Sequence, residues 1–283
     1  MSHQKIGSSL IFSLEKMIAE NRLLEMLQDE VKNASFFDEV LYQKISEYTE
    51  AYISAEGKEQ VSPDKAYFGF IRSYNKDMKA FVETGKYPLE INPEREALNR
   101  FEYNIILFFS CLFTPHRFRI MQLIENKSLD VENGLFIGCG PGLEIELVKS
   151  KLKNLHAYDL TMDDFLFGKH PNVTFKQEYF DGKNSAQKYE AIYLIELLEH
   201  LDEPYQLLEI CKTALADNGK IYLTTATNIP QFDHLYNFES DHSDFEKQIA
   251  DLGFKIELME DIPHGSITVN VGAKNRFYIV SHI

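Results

Sequence analysis

Three glycines on alternate positions end a short apolar run at residues 135–142, Leu-Phe-Ile-Gly-Cys-Gly-Pro-Gly. No other stretch limits the fold of this chain as tightly. A buried strand feeding such a turn brings the backbone close to a ligand, because glycine has no Cβ and accepts positive φ. Leu143 to Lys149 read as the start of a helix whose free N–H groups face the same space. Strand, glycine turn and helix in that order predict a nucleotide-type cofactor site at the edge of a parallel sheet.

The turn lies near the start of one of two regions. A chain of 283 residues can bury a proper core and has room for one large domain or two modest ones. Residues 1–127 read as all-helical. Ser35 with Asp38 resembles a capping box ahead of Phe37, Val40, Leu41, Ile45 and Tyr52. Ser62-Pro63 opens a second helix, with Tyr67, Phe70, Ile71, Tyr74, Met78, Phe81 and Val82 on its apolar face, and Gly85 and Pro88 stop it. Asn92-Pro93 is the expected start of a third helix through Phe113, and Thr114-Pro115 of a fourth. The aromatic side chains here are expected in the core, with a few free to line a pocket.

Residues 128–283 change character. Apolar or β-branched runs at 135–137, 155–159, 172–176, 190–195, 220–225, 255–259 and 276–281 alternate with helical patterns. That alternation predicts an α/β domain with a parallel sheet covered on both faces.

Composition excludes several classes of protein. Residues 1–100 hold 13 basic and 17 acidic side chains, against 16 and 27 in the rest. The half with the glycine turn is the more acidic, so a long nucleic acid is an unlikely partner. His116, Arg117 and Arg119 are the local exception: they suit either an anionic substrate group or a solvated helix face. Cys111, Cys139 and Cys211 form no CxxC pair and leave one over, which argues against a disulfide framework or zinc cluster. The N-terminus has no basic patch followed by an apolar run, and the apolar stretch 105–113 is too short for a bilayer. The expected setting is the reducing cytoplasm, off the membrane, with a small-molecule substrate. Oligomeric state is not legible.

The third glycine falls one position too early for a dinucleotide fingerprint, with Leu143 in the slot that a dehydrogenase would give to glycine. This G-x-G-x-G spacing resembles the class I S-adenosylmethionine-dependent methyltransferases, and the resemblance spans residues 128–283. It implies a Rossmann-like seven-stranded methyltransferase domain at 128–283, with 1–127 as an all-helical cap over the substrate face. It also implies S-adenosyl-L-methionine as cofactor, held by Gly138, Gly140, Gly142, Asp159, Phe180, Asp181 and Ile195. Asp159 closes the second strand and would accept hydrogen bonds from both ribose hydroxyls. Phe180-Asp181 would pack the adenine and bond its amino group. The family usually carries an acid two residues before the first glycine; here Phe136 stands there.

Residues 189–204, YEAIYLIELLEHLDEP, resemble the fourth strand and following turn of small-molecule O-methyltransferases, and Asn218-Gly219-Lys220 resembles their entry to the fifth strand. Within this stretch lies Glu196-x-x-Glu199-His200, and downstream Asp233-His234 precedes Phe238. The combination is similar to the ubiquinone-biosynthesis O-methyltransferases and to metal-dependent methyltransferases of the 3′-terminal ribose of small RNAs. In the latter both glutamates and both histidines bind the metal. Carried over, Glu196, Glu199, His200 and His234 would hold a divalent cation (Mg, Mn, Fe, Co or Zn), with Glu199 and His200 catalytic. A cation would acidify a hydroxyl of a diol or catechol and fix its neighbour. Without metal, His200 would be a general base or polar wall for O-, N- or C-methylation, and Glu196 would be satisfied by backbone N–H groups. His242 competes with His234 for the fourth ligand position. A cofactor-binding protein without catalysis is the third reading.

Overall fold

The structure is a computed structural model that describes residues 12–57, 60–94, 98–182, 187–238, 243–264 and 272–283. Seven strands form one sheet: β1 (Val131–Ile137), β2 (Leu152–Tyr158), β3 (Val173–Lys176), β4 (Tyr189–Leu194), β5 (Leu215–Thr227), β6 (Phe254–Pro263) and β7 (Lys274–His282). Their order is β3-β2-β1-β4-β5-β7-β6. All seven expected runs are strands, and this is the Rossmann-like methyltransferase arrangement.

The sheet is mixed, which corrects the expectation of a parallel one. β3, β2, β1, β4 and β5 run parallel, and β7 pairs antiparallel with both β5 and β6. Ten residues separate Pro263 from Lys274, too few for the crossover that parallel neighbours need. β1 and β4 are buried along nearly their whole ends, as central strands are. The chain leaves β1 toward β2 on one side and returns to β4 on the other. The crevice at their carboxyl ends is the place where such sheets bind ligands.

Seven helices precede the sheet: α1 (Leu14–Ala19), α2 (Arg22–Lys32), α3 (Glu39–Glu56), α4 (Pro63–Thr84), α5 (Pro88–Ile91), α6 (Arg100–Phe113) and α7 (Pro115–Lys127). Four follow β1: α8 (Leu143–Val148), α9 (Asp164–Lys169), α10 (Pro204–Ala214) and α11 (Ser243–Asp251). α4 begins at Pro63 and ends before Gly85, and α7 begins at Pro115, as those residues indicated. Asp38, not Ser35, caps α3 by accepting from the Leu41 N–H. α6 starts at Arg100 rather than at Asn92-Pro93, because Asn92 leaves the helical region at φ −141° and Asn99 supplies the cap. α1 and α2 lie in the stretch read only as helical; Ser13 and Asn21 cap them.

One face of the sheet packs against the N-terminal helices and α8 in a continuous core; α10 and α11 cover the other. Phe136, Tyr193 and Tyr222 stack across β1, β4 and β5, with ring centroids 4.3 and 4.8 Å apart. Position 136 thus carries a core ring where an acid was expected. Among the described residues no helix is long and apolar enough to cross a membrane.

Candidate active site

The glycine turn is shaped from both sides. Gly138, Gly140 and Gly142 have φ of +69°, +51° and +79°, a region that side chains rarely tolerate. A Cβ on Gly142 would sit 2.5 Å from Leu166 and 3.0 Å from the Tyr48 hydroxyl. Asp159 binds the turn with one carboxylate oxygen, which accepts from the Gly140 N–H at 2.8 Å, and its own loop with the other, which accepts from Thr161 N–H at 3.0 Å. Each oxygen keeps a lone pair for a hydroxyl.

Gly138, Gly140, Asp159, Phe180, Asp181 and Ile195 all line one cavity of about 1030 Å³ above the ends of β1 and β4. Gly142 does not; it faces Tyr48 and Leu166 beneath the turn. Phe180 is buried and meets Tyr158 edge to face at 5.0 Å.

The N-terminal helices help to hold this cavity, which the sequence did not signal. Tyr48 on α3 donates to the Pro141 carbonyl at 2.9 Å, so its oxygen accepts from His170 Nε2, also at 2.9 Å. Arg100 on α6 donates to the carbonyls of Thr161 (2.9 Å) and Gly140 (3.4 Å). Asn104 donates to Asp163 at 2.6 Å. The carbonyls on the outer side of the turn are therefore held, leaving its inner side for a ligand.

β4 ends at a strained residue. Glu196 has φ +49°, and its N–H donates to Thr224 Oγ1 at 2.6 Å. Its carboxylate pairs with the buried Arg117 at 2.7 Å and accepts from Asn275 Nδ2 at 3.0 and 3.1 Å. A short turn at Leu198–His200 follows. The Glu199 carbonyl accepts from the N–H groups of Leu235 and Tyr236, which draws the segment carrying His234 against that turn.

Ligand atoms of Glu199, His200 and His234 consequently lie within 4.8 Å of one another. Glu196, the expected fourth member, stays with Arg117 and Asn275, and His242 lies outside the described residues. Glu199 is 1% exposed, and among the described residues neither of its carboxylate oxygens has a hydrogen-bond partner. Burial, followed by the Glu196 charge, pushes its carboxyl up to about 8. Burial, reinforced by His200, pulls the His234 imidazole down to about 3. Among the described residues the buried Nδ1 of His234 has no hydrogen-bond partner. Burial also lowers His200, but the Asp233 and Glu199 charges outweigh it and hold its pKa above the usual value. Its Nδ1 lies 3.1 Å from the Asp233 carbonyl and 3.4 Å from the Asp233 carboxylate.

Unsatisfied buried carboxylate oxygens and a bare imidazole nitrogen are costly, and they are the donors that a cation would satisfy. With two nitrogens and a carboxylate, the cluster fits a divalent transition ion with positions left open.

A second cavity, about 130 Å³, opens among α2, α4, α6 and this cluster. Tyr67, Phe70, Ile71, Tyr74 and Ile106 form its apolar wall, with Glu199, His200 and His234 at its polar end. The two cavities share Tyr103, Leu107, Arg117, Glu196 and His200. Of the basic cluster, Arg117 is on both walls and His116 on the smaller one, stacked on His264 at 3.6 Å. Arg119 turns away to Glu260. Asp233 stood in the sequence motif without a role of its own and Asn275 was not singled out, because only their partners reveal them.

Residues 116–255 match the family model described as a methyltransferase domain. These residues carry a methyltransferase domain. The chain is 27% identical over 114 residues to the ubiquinone biosynthesis O-methyltransferase of Glaesserella parasuis serovar 5, covering 34% of this chain and 48% of that protein. It is 24% identical over 126 residues to the protein of the same name from Haemophilus ducreyi, covering 40% and 53%. The chain thus spans about half the length of the curated relatives it matches. Among solved structures it is similar to the N-methyltransferase NodS of Bradyrhizobium japonicum WM9, with TM-score 0.46, 16% identity, and 59% and 95% coverage. It is also similar to the 1,6-didemethyltoxoflavin-N1-methyltransferase of Burkholderia thailandensis, with TM-score 0.47, 13% identity, and 67% and 92% coverage.

Proposed function

We propose that this enzyme methylates a hydroxyl of a small diol, catechol or similar acceptor, with a divalent cation held by Glu199, His200 and His234. The observation that carries this reading is the pair of unpartnered, buried Glu199 oxygens beside two imidazoles, where the two cavities meet.

S-adenosylmethionine supplies the electrophilic methyl group. Asp159 would accept from the ribose hydroxyls, and the wall around Phe180 and Asp181 would take the adenine. Arg117 spends one donor nitrogen on Glu196 and has others for the methionine carboxylate. Methyl transfer is an in-line displacement, so the acceptor oxygen has to be aligned behind the methyl. The apolar wall on α4 and α6 would hold the acceptor's body and keep water out. A bound divalent cation supplies Lewis acidity that lowers the pKa of the acceptor hydroxyl. The 1–127 region then acts as both cap and buttress.

The test is elemental analysis of purified protein by plasma mass spectrometry. About one equivalent of a transition ion is expected, lost in Glu199→Ala. Undiminished methylation of catechols and diols after exhaustive chelation would sink the metal reading. That outcome favours a second reading, which rests on the Asp233–His200 contact: a metal-free base at His200 Nε2, oriented through Nδ1.

A further inference from the structure

The methionine arm of S-adenosylmethionine carries an ammonium as well as a carboxylate. On the cofactor reading above, the methyl sits where the cavities meet, the ribose at Asp159 and the adenine at Phe180. The wall left for the arm includes Cys111, Arg117, Leu143 and Glu144.

An ammonium taken into such a wall needs an anionic partner. β1 offers none, because Phe136 is buried and stacked on Tyr193. The other acids on the wall are engaged or elsewhere. Asp159 holds the glycine turn, Asp233 faces His200, and Glu196 pairs with Arg117 and Asn275. Glu178 and Asp181 flank Phe180, and Asp202 and Glu203 lie beyond the Glu199–His200 turn. Glu144 follows Gly142 by two residues and lines the same cavity as Arg117.

We infer that Glu144 receives the ammonium group of the cofactor's methionine arm, in place of an acid at position 136. Burial raises the Glu144 carboxyl, with Arg117 drawing it back, so a cation brought beside it would favour the ionised form.

Calorimetry on the full chain tests this with three probes: S-adenosylhomocysteine, its analogue lacking the amino group, and 5′-methylthioadenosine, which lacks the whole arm. Wild-type protein should bind S-adenosylhomocysteine about 10- to 100-fold more tightly than the deaminated analogue. In Glu144→Gln that preference should vanish while 5′-methylthioadenosine binds as before, which also shows that the cavity is intact. Equal binding of the amino and deaminated probes by wild type overturns the inference. So does an equal loss of all three probes in the variant, or no loss of any. Failure of wild type to bind either S-adenosylhomocysteine or 5′-methylthioadenosine is a different result: it overturns the cofactor reading itself.

Discussion

The glycine turn and the Glu199–His200–His234 cluster flank the same crevice, yet they are built in opposite ways. The turn is local: five residues set its shape, and Asp159, one strand later, locks it. The cluster is assembled. Glu199 and His234 are far apart in the chain and meet because two N–H groups of the later segment bind one carbonyl of the earlier. The polar groups also differ in their state. At the turn the Gly140 N–H and the Gly140 and Pro141 carbonyls are bonded within the protein, whereas in the cluster the Glu199 carboxylate and His234 Nδ1 have no hydrogen-bond partner among the described residues. A site that is satisfied before its ligand arrives serves positioning; one that is not holds its free energy in reserve for what it binds.

This contrast can be broken by separating binding from turnover. Glu199→Ala with His200→Ala should lower turnover of catechols and diols by about a thousandfold or more. Affinity for S-adenosylhomocysteine should stay within about twofold in the same variant. Full activity would mean that the cluster is not where the reaction is decided. Asp159→Ala should do the reverse, weakening cofactor affinity about 100-fold while leaving turnover at saturating cofactor largely intact.

A smaller effect sharpens the local half of the comparison. Tyr48→Phe removes the bond to Pro141 and should weaken cofactor binding by about three- to tenfold, read by calorimetry. Its partner His170 gives a pH signature. Burial depresses His170 from 6.5 to about 4, so the folded state keeps it neutral while the unfolded chain takes up a proton. Its contribution to stability is present above pH 6.5 and is lost as pH falls toward 4. Chemical denaturation across that window should show a shallower loss in His170→Gln, by up to one proton; an unchanged slope would contradict the assignment.

Much of the fold was legible because its signals are local. Seven apolar runs became seven strands, and Pro63, Gly85 and Pro115 bounded helices as written. The start of α6 was misread because Asn92-Pro93 and Asn99 are equally good local caps. The direction of β7 was missed because an apolar run has no polarity. In the site, the residues that the resemblance implies for the cofactor line one cavity, apart from Gly142, which shapes the turn without lining it. Arg117, which suited either an anionic substrate group or a solvated helix face in the chain, is 7% exposed in the fold.

The chain by itself determined that a strand, a glycine turn and a helix would cradle a cofactor, since backbone conformation and strand periodicity are settled within a few residues. Only the tertiary structure decided which charges remain free. Glu196 and Glu199 stand three apart and look equivalent in sequence, yet one pairs with Arg117 and accepts from Asn275, and the other is buried without a hydrogen-bond partner among the described residues. Partnership depends on what the folded chain brings from α7 and β7, and no spacing along β4 encodes that.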